Sequence, residues 1–285
     1  MTKALVGLIG SGIQRSLTPA MHEEEARRHG LRLHYQLIDL DSTGSTVAAL
    51  PTLISAARMM GFAGLNITYP CKQAVLPLLD ELSEEARVMG AVNTVVNRSG
   101  RLVGHNTDGS GWRWGFQRAL PDADLSRVVL LGAGGAGSAI AHAVLRLRAR
   151  QLTLVDTDST RAASLAKSLN AHYGPGRVHA ARDVTEALQD ATGLIHATPT
   201  GMDKLPGLPL PPALLRPDLW VSEIVYFPLE TALLKAARAR GCRTADGGTM
   251  AVGQAIGAFE LITGIRPDAQ RMETHLRSML GGAVS

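Results

Sequence analysis

Short apolar segments alternate with segments of helical periodicity along almost the entire chain. In the first hundred residues, strand-like runs cover 5–9, 35–40 and 65–68, and a pattern with the period of an α-helix covers 46–60. Pro19 marks the first turn of another helix, since a proline has no N–H and the N–H groups of a first turn lack a partner. This alternation predicts a three-layer α/β unit with a mainly parallel sheet.

The next segments predict one more helix and a hairpin. Residues 76–90 have apolar positions at helical spacing, with Ser83 as a plausible N-cap, and we expect them to be helical. Two β-rich runs, 91–97 and 101–105, are separated by a short polar turn and predict a β-hairpin.

A glycine-rich segment follows the apolar strand 128–131. Its sequence, GxGxxG between a strand and a helix, is typical of the turn that holds the pyrophosphate of a dinucleotide. Gly132 would make the turn, Gly134 would let backbone N–H groups approach the phosphates, and Gly137 would permit close packing of helix on strand. The candidate cofactor-binding residues of this turn are Gly132, Ala133, Gly134, Gly135, Ala136 and Gly137.

Further strands and helices extend this unit. A strand at 151–156 ends in Asp156, about 20 residues past the glycines, where a carboxylate can accept a hydrogen bond from the ribose 2′-hydroxyl. A later strand, 193–198, ends in Thr198, another candidate for the cofactor site. We therefore expect an α/β fold with two domains, a first one at 1–108 and a Rossmann dinucleotide-binding domain at 109–249.

Composition and charge exclude several classes of protein. The chain has 285 residues, of which 45% are hydrophobic and 19% charged, as in folded globular proteins. The net charge of +4 is dispersed, without the basic blocks interleaved with aromatic residues that would indicate nucleic-acid binding. No apolar run approaches the ~18 residues of a membrane span. Cys71 and Cys242 form no CxxC pair, and the histidines have no ligand spacing, so we expect a cytoplasmic protein without disulfide or metal.

Polar residues in the first domain cluster where loops leave the predicted strands, which is where open α/β sheets bind ligands. Hydroxyl, amide, ammonium and carboxylate groups of these types can together hold a carboxylate and several hydroxyl groups of a small molecule. The residues are Ser16, Thr18, Asn66, Thr68, Lys72, Asn93 and Asp108.

Six motifs occur in a fixed order and carry a resemblance to a known family. They are S-x-T-P at 16–19, N-x-T-x-P-x-K at 66–72, A-V-N-T at 91–94, N-T-D-G-x-G at 106–111, G-A-G-G-A-G at 132–137 and G-x-x-x-x-x-Q at 248–254. Together they resemble the shikimate/quinate dehydrogenase family over nearly the whole chain. The resemblance implies that Lys72 and Asp108 are the catalytic pair. Oxidation of a secondary alcohol needs a base that takes the hydroxyl proton while hydride leaves for the nicotinamide.

The resemblance also implies roles for the remaining candidates. Ser16 and Thr18 would bind the substrate carboxylate, and Tyr226 would line the pocket near the nicotinamide. The resemblance makes 1–108 the substrate-binding and catalytic domain, completed by C-terminal helices at 250–285, because Gln254 has to reach the substrate. Many family members have serine where this chain has Thr18, and the threonine resembles the branch that handles quinate as well as shikimate. The residues expected to hold ring hydroxyls are Thr68, Asn93 and Gln254.

The segment after the second Rossmann strand bears on the choice of cofactor. NADP-dependent relatives have Asn-Arg-Thr there, whereas this chain has Asp156-Thr157-Asp158. A carboxylate at Asp156 accepts a hydrogen bond from a 2′-hydroxyl and repels a 2′-phosphate, so the sequence favours NAD. Arg161 is close enough along the chain to reach a phosphate or to stack on adenine.

Two alternatives stay open. One keeps the fold and changes the substrate to a related cyclohexane carboxylate such as aminoquinate. The other is a non-catalytic, dinucleotide-binding regulator, in which the polar residues of the first domain would be structural; the presence of both Lys72 and Asp108 argues against it. The sequence leaves shikimate and quinate unranked, and it is compatible with a monomer or a homodimer.

Overall fold

The structure is a computed structural model that describes residues 3–282, and these residues form two compact units. The first unit takes the described residues up to Thr107 together with Gln254–Gly281, and the second takes Asp108–Gly253. Asp108 is therefore the first residue of the second unit.

The strands and helices follow one another through both units. The strands are β1 (Lys3–Gly10), β2 (Arg32–Asp39), β3 (Gly64–Ile67), β4 (Glu81–Leu82), β5 (Thr94–Arg98), β6 (Arg101–His105), β7 (Arg127–Leu131), β8 (Gln151–Val155), β9 (Val178–Ala181), β10 (Gly193–His196), β11 (Trp220–Glu223) and β12 (Arg243–Ala245). The α-helices are α1 (Thr18–Arg28), α2 (Leu50–Met59), α3 (Cys71–Ala74), α4 (Glu84–Met89), α5 (Asp108–Ala119), α6 (Gly135–Arg146), α7 (Ser159–Tyr173), α8 (Val184–Leu188), α9 (Ala232–Ala239), α10 (Gly247–Thr263) and α11 (Ala269–Gly282).

The first unit contains a six-stranded sheet with the order β2-β1-β3-β5-β6-β4. Strand β1 pairs in parallel with β2 and β3, and the β5–β6 hairpin joins β3 in antiparallel orientation. Ile9, Ile67 and Val95 are buried in its core. The predicted strands and hairpin are confirmed, and the sheet is mixed because the two strands of a hairpin run in opposite directions.

The single helix expected at 76–90 is wrong. The chain forms one short 3₁₀ turn at Leu76–Leu78, then the edge strand β4, and becomes α-helical only in α4. The turn ends at Leu79, whose backbone is extended, and the carboxylate of the following Asp80 accepts the N–H of Leu102 at 2.7 Å, which ties the segment to β6. Ser83 does cap α4, with its hydroxyl accepting the N–H of Ala86 at 3.2 Å.

The second unit contains a six-stranded sheet that is parallel throughout, with the order β12-β11-β10-β7-β8-β9. Its central strands are almost continuously apolar, and Leu130, Leu152 and Ile195 are fully buried. Such runs are expected when helices cover both faces of a parallel sheet. The chain moves outward from β7 to β9 on one side and from β10 to β12 on the other, so the strand order reverses between β7 and β10.

The beginning of α11 is bound to α1 through a buried carboxylate in the first unit. Glu25 accepts hydrogen bonds from Arg271 Nε at 2.7 Å and Nη2 at 2.6 Å and from the backbone N–H of Asp268 at 2.8 Å. Burial alone would raise the pKa of Glu25, but these hydrogen bonds lower it below its ordinary value. This part of the C-terminal segment is therefore held within the first unit by charge-assisted hydrogen bonds. Within residues 3–282, no helix combines the length and the apolar character needed to cross a bilayer.

His22 in α1 makes the stability of this protein sensitive to mild acid. Its ring is 1% exposed, lies 5.1 Å from the ring of Tyr35 and 5.8 Å from that of Phe259, and has no hydrogen-bond partner among the described residues. Burial lowers the pKa of His22 from 6.5 to about 4. Between these two values the unfolded chain binds a proton that the folded protein excludes, so we expect His22 to reduce the free energy of unfolding by about 3 kcal/mol as pH falls from 6.5 to 4.

We expect His22→Leu to flatten the dependence of unfolding free energy on pH across this range, as measured by urea denaturation. His34 is exposed on β2 of the same unit, and His34→Gln should retain the wild-type slope. Equal slopes for wild type and His22→Leu would show that His22 does not carry the effect.

Candidate active site

Several strands of the first sheet have an end at the same edge of the sheet. The carboxyl ends of the parallel strands β1 and β3 lie there, and so do the start of the antiparallel strand β5 and the end of β6. The register places Asn66 beside Thr94, and Thr94 beside His105. The loops that carry the candidate residues of the first unit therefore all leave the same edge.

Asn93, Thr107 and Gln254 are joined by hydrogen bonds at this edge. The amide oxygen of Asn93 accepts the N–H of Thr107 at 2.8 Å, and its Nδ2 lies 2.9 Å from Thr107 Oγ1. The Thr107 hydroxyl also lies 3.0 Å from the carbonyl oxygen of Gln254. Two residues far apart in the chain are thus brought together by Thr107. Sequence reasoning missed this residue, although it lies inside the N-T-D-G motif.

Lys72 and Thr68 lie in the loop and short helix that follow β3. The N–H of Thr68 donates to the carbonyl of Ile9 at 2.9 Å, and the carbonyl of Thr68 accepts the N–H of Cys71 at 2.8 Å, which begins α3. The carbonyl of Lys72 accepts the N–H of Val92 at 2.9 Å, directly before Asn93. These backbone bonds bring Lys72 next to the Asn93 segment, with its side chain half-buried.

Ser16 and Thr18 lie at the start of α1. The Ser16 hydroxyl accepts the N–H of Thr18 at 3.3 Å, and the N-cap position belongs to Leu17, so Thr18 does not cap the helix with its side chain. The N-terminus of a helix favours an anionic group because its first N–H groups have no partner within the helix. The two hydroxyls therefore lie where a carboxylate is stabilised.

Asp39, which sequence reasoning also missed, holds the loop that leads to α1. Its two carboxylate oxygens accept the N–H groups of Gly12 at 3.0 Å and Ile13 at 3.2 Å. Burial alone would raise the pKa of Asp39, but hydrogen bonds from Gln14 and from the backbone lower it. An aspartate at the end of a strand carries no specific sequence signal, because the loop that it binds is fixed only in three dimensions.

The glycine turn in the second unit joins β7 to α6. Gly132 has a φ of 98°, a conformation that favours glycine, and its N–H donates to the carbonyl of Val155 at 2.8 Å. A Cβ on Gly137 would collide with the carbonyl oxygen of Gly132, so the helix can approach the turn only without a side chain there. Gly134 is the N-cap of α6, and Gly135 and Ala136 are its first residues. The predicted turn at Gly132 is confirmed.

Asp156 and Arg161 lie beside this turn. Asp156 Oδ2 accepts the N–H of Ala133 at 2.7 Å, and Oδ1 accepts the N–H of Asp158 at 2.8 Å. The guanidinium of Arg161 is about half exposed and lies 3.6 Å from Asp156 and 3.4 Å from Asp158. The Asp156 carboxylate and the Arg161 guanidinium thus lie next to each other after β8. The carboxylate also binds the backbone of the glycine turn through the N–H of Ala133.

Three further candidates lie in the second unit. Thr198 follows β10, and its methyl group lies 3.2 Å from the position that a Cβ on Gly132 would occupy. Tyr226 follows β11, where its side chain is half-buried and burial raises the pKa of its hydroxyl. Asp108 is 5% exposed and is the first residue of α5.

Comparison with known proteins identifies the family. Residues 8–95 match the family model described as the shikimate dehydrogenase substrate binding domain. A shikimate dehydrogenase (NADP(+)) of Streptomyces avermitilis is 58% identical over 98% of this chain and 97% of its own. A quinate/shikimate dehydrogenase (NAD(+)) of Corynebacterium efficiens is 48% identical over 96% of this chain and 98% of its own.

A solved structure agrees with these relatives. The quinate dehydrogenase from Corynebacterium glutamicum in complex with NAD superposes with a TM-score of 0.92, at 45% identity, covering 98% of this chain and 100% of that chain. Similarity at this level extends over both units of the fold. The chain therefore belongs to the shikimate/quinate dehydrogenase family.

Proposed function

We propose that this chain is a dehydrogenase that transfers hydride between NAD and a ring secondary alcohol of shikimate, quinate or both. The product of the oxidation is the corresponding ketone, 3-dehydroshikimate or 3-dehydroquinate. The observation that carries the proposal is the polar edge of the first sheet, where Lys72 lies next to the hydrogen-bonded set Asn93, Thr107 and Gln254.

This edge has the groups that a carboxylated polyol needs. Ser16 and Thr18 at the N-terminus of α1 suit the carboxylate, because hydroxyls and helix N–H groups donate to an anion. Thr68, Asn93 and Gln254 supply hydroxyl and amide groups for the ring hydroxyls. Since a site built to pair substrate hydroxyls discriminates strongly against analogues that lack them, we expect selectivity for polyhydroxylated rings.

Lys72 and Asp108 would act on the reacting hydroxyl. In the oxidation, the amine of Lys72 takes the hydroxyl proton while the hydride on the same carbon passes to the nicotinamide; in the reduction, the ammonium returns the proton. Covalent geometry keeps the Cα of Asp108 about 3.8 Å from that of Thr107, whose hydrogen bond to Asn93 belongs to the first unit. Asp108 would orient the lysine and bind a neighbouring substrate hydroxyl.

NAD is the cofactor that the residues at the end of β8 favour. A nicotinamide dinucleotide fits the glycine turn, whose helix N-terminus faces phosphates in proteins of this fold. Some relatives are named for NADP and others for NAD, so we infer the cofactor preference of this chain from its own residues at the end of β8. Asp156 carries a negative charge where a 2′-phosphate would lie, which favours the 2′-hydroxyl of NAD, although Arg161 beside it offsets part of the repulsion.

The test is a steady-state comparison of shikimate, quinate and aminoquinate, each with NAD and with NADP, followed by the absorbance of the reduced nicotinamide. We expect turnover of at least one substrate, with kcat/KM about tenfold or more higher with NAD, the effect of ~1.4 kcal/mol of repulsion. Turnover of aminoquinate alone would identify the related cyclohexane carboxylate as substrate. Dinucleotide binding without turnover of any of the three would contradict the proposal in favour of a regulator.

A further inference from the structure

Two buried polar side chains end adjacent strands of the second sheet. His196 is the last residue of β10 and Glu223 the last of β11, and the parallel register places them side by side. His196 Nδ1 lies 2.8 Å from Glu223 Oε1, and both side chains are fully buried. Burial of such a pair costs free energy because both groups lose their contact with water. A pair that is kept at this cost is a candidate for a functional role.

The hydrogen bonds of Glu223 fix the orientation of the imidazole. Glu223 Oε1 accepts the backbone N–H groups of Ile224 at 2.8 Å and Val225 at 3.0 Å, and Oε2 accepts the hydroxyl of Thr231 at 3.0 Å. Because Oε1 is an acceptor in both backbone bonds, the His196 Nδ1–H donates to it. The other ring nitrogen, Nε2, is thereby directed at Thr198, whose Oγ1 lies 2.5 Å away.

Thr198 links this pair to the glycine turn. Its hydroxyl, held by His196, also accepts the N–H of Thr200 at 3.3 Å, and its methyl group lies against Gly132. The neighbouring Ala197 donates its N–H to the carbonyl of Leu131 at 2.7 Å. Hydrogen bonds therefore connect the buried pair to the first residues after β10, and these residues are bonded to the end of β7.

This place is the reversal point of the strand order, between β7 and β10. Dinucleotides bind across that point at the carboxyl ends of the strands, with the adenosine ribose on the acidic residue that follows the second strand of the fold. If Asp156 holds the adenosine ribose at the end of β8, the nicotinamide half would lie on the side of β10 and Thr198.

We infer that His196 and Glu223 are positioning residues for the nicotinamide half of the dinucleotide, acting through the Thr198 hydroxyl and the loop that begins there. This inference rests on the proposed function for the identity of the ligand. In the tautomer that donates Nδ1–H to Glu223 and carries no proton on Nε2, Nε2 accepts the proton of the Thr198 hydroxyl, which leaves the threonine oxygen as an acceptor toward ribose hydroxyl or carboxamide N–H groups.

The test measures NADH binding to wild type, His196→Leu, Thr198→Val and the double variant, together with the KM values for NAD and for substrate. We expect each single variant to raise the Kd for NADH and the KM for NAD by about tenfold, the loss of roughly one hydrogen bond, while the KM for substrate changes less than about twofold. The double variant should be no weaker than either single one, because both act through the same hydroxyl.

His142 provides the matched control, since it is a buried histidine of the same unit whose Nδ1 pairs with the Tyr173 hydroxyl at 3.1 Å. His142→Leu should leave the Kd for NADH within about twofold of wild type. An equal rise in this control would mean that any buried histidine of the unit has the same effect, and it would overturn the inference. Additive effects of His196→Leu and Thr198→Val would overturn it as well.

Thr198→Val keeps the inference testable if His196→Leu does not fold, because it removes the hydroxyl and leaves the buried pair intact. An unchanged Kd for NADH in Thr198→Val would then refute the inference. Direct binding also separates this inference from the proposed function. A wild-type chain that binds NADH but turns over no substrate contradicts the function alone, whereas one that binds neither NADH nor NADPH contradicts both.

Discussion

Lys72→Met is expected to lower kcat for the oxidation of shikimate or quinate by about 10²- to 10⁴-fold, the usual contribution of a general acid or base. Methionine keeps most of the aliphatic length of the side chain and removes the amine that would take the hydroxyl proton. The backbone position should be retained, because the bond that fixes it runs from the N–H of Val92 to the carbonyl of residue 72. The measurement is kcat at saturating NAD and substrate, with NADH affinity as the check on folding.

Two further variants make this result specific to proton transfer. Lys72→Arg retains the positive charge but cannot give up its proton in the working range of a protein, so we expect a loss as large as that of Lys72→Met. Lys3 is an exposed lysine on β1 of the same unit, and Lys3→Met should retain the wild-type kcat. Near-wild-type turnover by Lys72→Met would remove Lys72 from the mechanism, and activity of Lys72→Arg alone would indicate that only its charge matters.

Asp156→Asn is expected to shift the ratio of kcat/KM for NAD over that for NADP by about 10- to 100-fold toward NADP. At an effective dielectric constant of ~20, like charges a few ångström apart repel by a few kcal/mol, and the substitution removes one of them. Asparagine is preferable to alanine, because the side chain also accepts the N–H of Ala133 in the glycine turn and an amide oxygen can keep that bond. Steady-state kinetics with both cofactors gives the ratio.

Arg161 and Gly134 supply the controls for this experiment. Arg161 already stands 3.6 Å from Asp156, so the gain with NADP should be lost when Asp156→Asn is combined with Arg161→Ala. Gly134→Ala should weaken both cofactors alike, because the pyrophosphate is common to them; a Cβ at this position meets no protein atom within 4 Å, and the fold should tolerate it. An unchanged ratio in Asp156→Asn would show that another residue selects the cofactor.

The strands of both sheets other than β4 could be predicted because burial leaves a local signal. A strand covered on both faces is apolar throughout, as in β7, and a GxGxxG segment after it allows few conformations of the turn. In the segment 76–90, hydrophobic periodicity alone predicts the wrong structure. Its apolar residues fit a helix, but β4 forms because its backbone reaches the edge of β6, a pairing that periodicity does not contain.

In the candidate site, too, the sequence predicts which residues are present but not which of them are in contact. Lys72, Asn93 and Gln254 were identified from motifs, whereas their contact depends on strand register and on Thr107, which binds Asn93 and the Gln254 backbone. The spacing after the glycine turn identifies Asp156 as a candidate. It does not show that the carboxylate also accepts the N–H of Ala133 and so binds the backbone of that turn. The pair His196 and Glu223 had no signal at all, since the two residues are separated by a long loop and meet only across β10 and β11.

The sequence alone thus determined the types and order of the groups that can hold a carboxylated polyol and a dinucleotide, because glycine turns, helix starts and buried strands depend on neighbouring residues. The folded structure is needed to show which groups share an edge, which carboxylates already accept backbone N–H groups, and which buried histidines have hydrogen-bond partners. These properties depend on hydrogen bonds between residues that are distant in the chain, and no local pattern encodes such distances.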